Sequence, residues 1–324
     1  MKVMKIPYKK LAYALLVLLI FFGMADLGAS FYMIDYALSN SNRDTTQTQG
    51  FAQAIERYPE LRPWIDSLRH EGLLKDTFIT TADGQRQHAL MARSALAAGR
   101  TALLIHGYHD RLTSMLHIAR IYNHELHYNI LLPDLHGHGL SSGDDVQMGW
   151  KDRLDVLNWA NIAQRAFSSQ GDTTRMVIHG ISMGAATTMC VSGEQTPDFI
   201  RCFVEDCGYT SVWDEFSYEL KQQFSLPPFP ILHTTNVLCH LRYGWNFREA
   251  SPLEQVKKCQ KPMLFIHGDN DDFVPTRMVY PLYAAKPQPK ELWIASGSAH
   301  ALSYNDHKAE YTLRVVRFAR KWME

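Results

Sequence analysis

The sequence predicts an α/β fold, with a mostly parallel central sheet, helices on both faces and a helical cap insert. Eight short apolar runs recur along the chain, namely DTFITTA, HALMA, TALLIHG, YNILLPD, RMVIHG, CFVEDC, PMLFIHG and ELWIAS. From the third run onward, helix-like stretches separate them, which is typical of a parallel sheet that is covered on both faces. One gap between strands, residues 208–261, is much longer than the others, and such gaps are usually structured and functional.

The composition suits one large domain or one domain with an insert. The chain has 324 residues, 46% of them hydrophobic, and its 33 basic residues balance its 33 acidic residues. A nucleic-acid-binding protein would normally carry a basic stripe, and the sequence has none. Nucleic acid is therefore not expected as a partner, and the oligomeric state stays open.

The N-terminus has the pattern of an export signal. Lysines at positions 2, 5, 9 and 10 precede the uncharged run LAYALLVLLIFFGMA. Gly23 and Ala25 have the spacing of a cleavage site, which favours a removable signal peptide. The apolar stretch also continues past Asp26 to Ile34, which is long enough for an uncleaved membrane anchor. We favour the anchor over cleavage, and both over a buried N-terminal helix. With the lysines inside, the body of the protein would lie outside the cytoplasm, in the periplasm or the extracellular space.

These features divide the chain into five parts. They are the anchor or signal peptide (1–34), a linker and helical lead-in (35–76), the first part of the core (77–207), the cap insert (208–261) and the second part of the core (262–324). The linker is expected at residues 39–49, which are polar and unpatterned. Residues 50–75 look helical, with a break at Pro59 and Pro63.

The segment GISMG, residues 180–184, has the pattern of a nucleophile elbow, in which a strand turns at once into a helix and exposes a serine. Glycine is needed on both sides of Ser182, because larger side chains would clash in so sharp a turn. A second match, GLSSG, contains Ser141. It follows a strand that has already ended and precedes a polar loop, so Ser182 is the candidate nucleophile.

A serine nucleophile needs a base and an acid that orients that base. Asp271 follows the strand PMLFIHG, and His300 follows the strand ELWIAS. The order Ser182, Asp271, His300 is the one expected for this kind of sheet. Asp206, at the end of CFVED, is the alternative acid. His307 is the alternative base, but it is expected in the final helix, where a structural role is favoured.

The motifs together resemble those of the α/β-hydrolase superfamily. LLIHGYHD is similar to its oxyanion strand and turn, PDLHGHGLSSG to its D-x-R-G-H-G-x-S loop, and HGDNDDFVP to its H-G-x-x-D-x-x-V-P acid motif. The resemblance covers residues 77–323 and is strongest for the exported or membrane-anchored bacterial branch, which is peptidase-like or acyl-hydrolase-like. His136 departs from the arginine that is usual in the loop, which puts the hydrogen bonding of that loop in doubt.

The resemblance implies a catalytic triad of Ser182, Asp271 and His300. It also implies an oxyanion hole formed by the backbone N–H groups of Tyr108 and Met183. The expected function is that of a serine hydrolase that cleaves carboxylic esters, or related acyl bonds, of a small-molecule acyl substrate through an acyl-enzyme. Hydrolysis of small peptides, acyl transfer and, less favoured, a non-catalytic binding scaffold remain alternatives.

No cofactor and no metal are expected. The chain has 15 histidines, but their clusters HGYHD, NHELH and HGHG lack the H-E-x-x-H spacing of a zinc protease. Five scattered cysteines do not form a disulfide framework. If export permits one bridge, Cys239 with Cys259 is the candidate pair. The interpretation we favour over this bridge is that all five cysteines are small buried hydrophobes.

Overall fold

The computed structural model describes residues 8–40, 46–81, 84–168 and 173–323. The lysines at positions 2 and 5 and residues 41–45 of the expected linker lie outside the described residues. Ser39 forms an isolated bridge with Asp145 before that gap, and the first helix after it starts at Gln47. The expected linker is therefore shorter than predicted on its C-terminal side.

In the described part of the chain, eight strands form one sheet in the order β1-β2-β4-β3-β5-β6-β7-β8. The pairs β1–β2 and β2–β4 are antiparallel, and all other pairs are parallel. The predicted fold class is thus confirmed. The strands are β1 Leu74–Thr80, β2 Arg86–Ala92, β3 Arg100–Ile105, β4 Asn129–Pro133, β5 Arg175–Ile181, β6 Ile200–Asp206, β7 Met263–Gly268 and β8 Lys290–Ala295.

Helices cover both faces of this sheet. In β3, Leu103 and Ile105 belong to one core cluster, and Ala102 and Leu104 belong to the other, as the alternation of a strand requires. The helices are α1 Tyr8–Leu38, α2 Gln47–Arg57, α3 Leu61–His70, α4 Leu116–Arg120, α5 Asp152–Phe167, α6 Met183–Ser192, α7 Val212–Phe224, α8 Ile231–Tyr243, α9 Pro252–Val256, α10 Val279–Ala285, α11 Ser303–Asp306 and α12 Lys308–Met323. The first core cluster contains residues of α1 and α5 to α10, and the second contains residues of α2, α3, α4 and α12.

The long gap between β6 and β7 contains the helices α7, α8 and α9. Ser211 caps α7, because its Oγ accepts a hydrogen bond from the N–H of Asp214. Many of the aromatic residues of this segment pack on one another. The ring of Phe216 meets that of Phe247 edge to face at 4.9 Å, and Trp245 and Phe247 are buried. The segment therefore has its own small core and lies over the carboxyl ends of the central strands.

The N-terminal helix α1 is long and apolar enough to span a membrane, and its most apolar window is fully exposed. A signal sequence has the same length and composition. The helix runs to Leu38, beyond the expected limit at Ile34. It does so because Ser30, Ile34 and Leu38 lie four residues apart on one face, and this face is buried against the rest of the protein.

All five cysteines are free and buried. The candidate pairing of Cys239 with Cys259 is therefore wrong. Cys239 lies within α8, whereas Cys259 follows α9 and contacts the carbonyl of Lys261 at 3.4 Å. Both thiols pack as small apolar groups.

Candidate functional site

Ser182 lies at the junction between β5 and α6 in a strained backbone conformation. Its φ is 58° and its ψ is −121°, which non-glycine residues seldom adopt. The Ser182 N–H donates a hydrogen bond to the carbonyl of Asp206 at 2.8 Å, and its carbonyl accepts one from the N–H of Ala186 at 3.0 Å. The turn is thereby fixed to the neighbouring strand on one side and to the first turn of α6 on the other.

The two glycines beside this serine are required by close packing. A β-carbon at Gly180 would lie 2.0 Å from the carbonyl oxygen of Gly184. A β-carbon at Gly184 would lie 2.1 Å from the carbonyl oxygen of Ile105 in β3. Neither space can hold a side chain, so the strand and the helix approach each other as the nucleophile-elbow pattern predicts.

The structure brings Ser182, His300 and Asp271 together, although 118 residues separate the first two along the chain. The Oγ of Ser182 lies 2.8 Å from the Nε2 of His300. The Nδ1 of His300 lies 2.8 Å from the Oδ2 of Asp271. These distances allow a proton to move from the serine to the imidazole while the carboxylate holds the ring in one tautomer.

Asp271 is buried and is held in its ionised form. Its Oδ1 accepts hydrogen bonds from the N–H groups of Phe273 at 3.1 Å and Val274 at 3.0 Å. Burial by itself would raise the pKa of Asp271, but hydrogen bonds and charge interactions with His267 and His300 lower that pKa below its usual value. The carboxylate is thus rigidly oriented and remains negative at neutral pH.

The competing candidates occupy other environments. Ser141 is buried, and its hydroxyl donates to the carbonyl of Asp134 at 2.7 Å and accepts from the N–H of His88 at 3.0 Å. Burial raises the pKa of Asp206 to about 6, and the bond from His300 Nδ1 goes to Asp271 and not to Asp206. His307 lies between α11 and α12, not within the final helix as expected, and its Nε2 bonds the carbonyl of Ser296 at 2.7 Å.

Tyr108 and Met183, the residues implied as oxyanion donors, both border the cavity next to Ser182. Met183 is the first residue of α6, so its N–H belongs to the unpaired set at a helix N-terminus. The turn after β3 comes close to the serine, since a β-carbon at Gly107 would lie 3.5 Å from the Cβ of Ser182. The turn that carries Tyr108 and the N-terminus of α6 therefore both lie next to Ser182.

Two cavities meet at Ser182. The first has a volume of about 450 Å³ and is mainly apolar, with walls that include Phe216, Leu220, Phe224 and Val274. The second has a volume of about 460 Å³ and is more polar. Its walls include Arg57, Asp110, Arg111 and His300. Ser182 thus lies between a mainly apolar cavity and a more polar one.

Glu215 of α7 lines the apolar cavity, and the sequence analysis missed it. The residue is 3% exposed, and neither carboxyl oxygen has a hydrogen-bond partner among the described residues. Burial raises the pKa of Glu215 well above its usual value, and nearby Glu219 and Asp271 raise it further. Burial thus favours the protonated form of this carboxyl group, which can donate a hydrogen bond into the cavity. Its place in the amphipathic helix α7 gave no signal of this role.

Three residues of α1, namely Met33, Tyr36 and Ala37, also line the apolar cavity. The sequence analysis assigned this region to an anchor and a linker, and not to the site. The buried residues Ser30, Ile34 and Leu38 are four residues apart, and this spacing is the sequence feature that is consistent with packing of one face of the helix.

The loop after β4 differs from the family pattern at His136. Its Nε2 lies 3.0 Å from the Oδ1 of Asp145. Burial tends to lower the pKa of His136, but the bond and charge of Asp145 raise it overall. The carboxylate of Asp134 accepts hydrogen bonds from the N–H groups of Leu112 at 2.8 Å and Leu140 at 2.9 Å. The loop is therefore held by Asp134 and by a histidine–aspartate pair.

In the described part of the chain, the side chains of Cys207, Asp271 and His300 form the one group of three potential metal ligands whose donor atoms lie within 4.8 Å of one another. Asp271 and His300 already bond each other. Burial raises the pKa of Cys207 well above its usual value, so its thiol stays protonated. These three side chains are poorly suited to bind a metal ion, because a cysteine binds metals as the thiolate.

Comparison with known proteins gives the following likenesses. The prolyl oligopeptidase family matches over residues 128–324. The uncharacterized protein YqkD of Bacillus subtilis is 30% identical over 218 residues, which are 67% of this chain and 70% of that protein. The α/β-hydrolase domain-containing protein WAV2 of Arabidopsis thaliana is 26% identical over 65% of this chain and 66% of its own length.

Two solved structures show the same fold. The esterase Pf2001 of Pyrococcus furiosus has a TM-score of 0.61 and 23% identity, over 78% of this chain and 93% of that one. The acylaminoacyl peptidase of Pyrococcus horikoshii has a TM-score of 0.59 and 19% identity, over 76% of this chain and 41% of that one.

Proposed function

Because the chain belongs to the prolyl oligopeptidase family of the α/β-hydrolase superfamily, and is therefore a hydrolase, we propose that it cleaves carboxylic esters with apolar acyl groups. Ser182 is the nucleophile, His300 the general base and acid, and Asp271 the residue that orients the imidazole. One observation carries this proposal. Ser182, His300 and Asp271 are joined by hydrogen bonds, and Ser182 lines an apolar cavity of about 450 Å³.

In the proposed reaction, Ser182 Oγ attacks the ester carbonyl carbon while its proton passes to His300 Nε2. The bond between the carbonyl carbon and the alcohol oxygen then breaks, and the alcohol leaves with the proton from His300. A water molecule attacks the acyl-enzyme and gives a proton to His300. The carboxylic acid is released as that proton returns to Ser182.

The negative oxygen of each tetrahedral intermediate would be stabilised by the N–H groups of Tyr108 and Met183. Their positions beside the cavity support this role, because a helix N-terminus favours negative charge. Asp271 stabilises the imidazolium that forms at the same time. Neither step requires a cofactor.

The two cavities support cleavage of an ester with an apolar acyl group. An acyl chain fits the apolar cavity, where burial contributes about 25 cal/mol per Å². The polar cavity, with Arg57 and Arg111 in its walls, suits the departing alcohol and the attacking water. A substrate with an anionic acyl group would lose hydration in the apolar cavity, and the described residues of its walls include no lysine or arginine to pair with it.

A second candidate function is the hydrolysis of small peptides, which Glu215 favours. Its unpartnered carboxyl group lines the apolar cavity together with that of Glu219. A substrate amine next to these two groups would gain ion pairs if the carboxyls ionised on binding. The raised pKa of Glu215 argues against this function for the unliganded site, because a neutral carboxyl group attracts a cation weakly.

We expect kcat/KM to rise along a series of p-nitrophenyl esters from acetyl to hexanoyl. Each added methylene should contribute at most about 0.8 kcal/mol, or about fourfold, until the cavity is full. The measurement is the initial rate of p-nitrophenol release by the purified full-length protein. Esters with a charged acyl group should react poorly.

Matched p-nitroanilides, with and without a free α-amine, provide the control. A flat series, or a preference for acetyl, would mean that the cap residues close the cavity to larger groups. A higher kcat/KM on amine-bearing anilides than on esters would instead support the peptidase function. Ser182→Ala protein measures the background rate in every assay.

We also expect the catalytic domain to lie outside the cytoplasm, anchored by α1. Lys9 and Lys10 precede the apolar part of this helix, and basic residues favour the cytoplasmic side. Protease added to intact spheroplasts should digest the domain. Protection of the domain while a known external marker is digested would contradict this orientation. A mature N-terminus at Asp26 would establish cleavage in place of anchoring.

A further inference from the structure

The helix α1 forms part of the wall of the apolar cavity. Met33, Tyr36 and Ala37 line this cavity opposite residues of α7 and α8. The Oη of Tyr108 donates a hydrogen bond to the carbonyl of Ala37 at 2.7 Å, which ties the end of α1 to the turn beside Ser182. The cavity at the nucleophile is therefore built from the apolar N-terminal helix as well as from the hydrolase core.

Specific side chains fix α1 against α8. Ser30 Oγ donates to the carbonyl of Ile231 at 3.1 Å, and Thr234 Oγ1 donates to Asp26 Oδ2 at 2.6 Å. Ile231 also lines the cavity, so this contact joins the cavity wall to the helix. Ser30 is fully buried in the contact. The helix is thus seated on the segment between β6 and β7 by its own polar groups.

In the part of α1 before Asp26, every residue from 8 to 25 is exposed, so this segment is not buried against the rest of the described chain. At 1.5 Å per residue this segment extends about 27 Å. The hydrocarbon core of a bilayer is ~30 Å thick. Asp26 therefore marks the membrane surface if the segment spans the bilayer. Met33, seven residues further on, would lie only about 10 Å beyond that surface.

The segment between β6 and β7 also has an exposed apolar side chain near the expected membrane surface. Phe229 is 70% exposed and lies two residues before Ile231, which bonds Ser30. Aromatic side chains are enriched where a protein meets the membrane–water interface. The cavity wall at Ile231 and an exposed aromatic ring thus lie close to the point where α1 would leave the bilayer.

We propose that the substrate is a long-chain acyl ester that resides in the bilayer, and that its acyl chain enters the apolar cavity along α1. This inference rests on the proposed esterase function. Moving an acyl chain from a bilayer into water costs about 0.8 kcal/mol per methylene. Because α1 forms part of the cavity wall, the acyl chain can pass from the bilayer into the apolar cavity along this helix without entering water. The ester carbonyl then reaches Ser182 at the inner end of the cavity.

The test uses the full-length protein reconstituted in phosphatidylcholine vesicles. p-Nitrophenyl palmitate is supplied either in the same vesicles or in separate vesicles, and p-nitrophenyl butyrate is supplied in solution. Wild-type protein should hydrolyse palmitate ester in its own bilayer at least about tenfold faster than palmitate ester in separate vesicles. Equal rates from the two sources would overturn the inference, because the substrate would then arrive through water.

Substitution of the cavity wall provides the second arm. Met33→Trp should lower the rate on palmitate ester in the same vesicles by about tenfold, because the larger indole would occupy part of the open cavity of about 450 Å³. Butyrate hydrolysis should fall by a clearly smaller factor, because a short acyl chain fills less of the cavity, so the ratio of the palmitate rate to the butyrate rate should drop. The matched control is Phe31→Trp on the exposed side of the same helical turn, which should leave both rates unchanged.

Ala37→Leu is a second, smaller intrusion into the same wall, in case Met33→Trp disturbs folding. Equal losses on both substrates in both variants, or no loss on palmitate ester in either, would overturn the inference. Butyrate hydrolysis without palmitate hydrolysis by the wild-type protein would overturn the inference and leave the proposed esterase function standing. Absence of hydrolysis of all esters would refute both.

Discussion

Ser182→Ala is expected to abolish labelling by a fluorophosphonate probe and to lower kcat on the order of 10⁶-fold, as loss of the serine does in another serine hydrolase. The reason is geometric. Ser182 is the residue whose Oγ lies 2.8 Å from His300 Nε2, and its strained backbone holds that oxygen at the cavity. Intact-mass measurement and peptide mapping of the wild-type protein should show a single adduct, located on Ser182.

Ser141→Ala is the matched control, because Ser141 is the other serine within a G-x-S-x-G pattern. Its hydroxyl is engaged by the backbone of Asp134 and His88, so the substitution should cost about 1 kcal/mol of stability and leave labelling intact. An adduct on Ser141, or persistent labelling of the Ser182→Ala protein, would contradict the assignment of the nucleophile.

The sequence predicted the features that depend on local pattern. Each buried parallel strand is a short apolar run, so the run before Gly180 and the small residues after Ser182 were enough to locate the sharp turn between β5 and α6. Asp271 and His300 could be located because the carboxyl ends of parallel strands meet at one edge of the sheet. The number of residues between Asp271 and His300 does not predict their contact, because only the fold brings His300 Nδ1 within 2.8 Å of Asp271 Oδ2.

The features that were missed depend on contacts between distant segments. Apolar composition describes residues 11–34 as an anchor or signal peptide, and it cannot show that Met33 and Ala37 face a cavity beside Ser182. Glu215 looks like an ordinary acidic residue in the first turn of a helix, where carboxylates are favourable. It is buried without a partner because the cap folds over the sheet. The hydrophobic periodicity of one segment predicts its secondary structure, but it does not predict the depth of a pocket or the packing of a cap against other segments.

Polar residues at the strand ends could be recognised as candidates. The sequence ranked Asp271 above Asp206 through the resemblance of HGDNDDFVP to a family motif, whereas the local strand pattern alone does not separate the two. Asp206 and Asp271 both follow buried strands and both lie near His300. The structure separates them by direction, because the ring nitrogen of His300 points at Asp271 and lies 2.8 Å from it. Side-chain direction at a strand end is set by the turn that follows, and such turns are poorly predicted from one sequence.

Asp271→Asn is expected to lower kcat by about 10⁴-fold, the cost that loss of the orienting carboxylate can reach in a serine triad. Asparagine lacks the negative charge that stabilises the imidazolium. Its amide nitrogen also donates where the carboxylate accepts, so His300 would present the wrong tautomer to Ser182. The fold should survive, because the remaining carbonyl oxygen can still accept the N–H groups of Phe273 and Val274. Ester hydrolysis at neutral pH and circular dichroism measure the two effects.

Two further variants make this test specific. Asp272→Asn removes one charge from the neighbouring exposed carboxylate and should leave kcat unchanged. Asp206→Asn replaces the rival acid, and it should lower kcat far less than Asp271→Asn does. The reason is that His300 Nδ1 bonds Asp271, so the loss of the charge at Asp206 leaves the imidazole oriented. A larger loss from Asp206→Asn than from Asp271→Asn would move the orienting acid to the end of β6. It would also mean that His300 reorients when substrate binds, since its Nδ1 bonds Asp271 in the unliganded site.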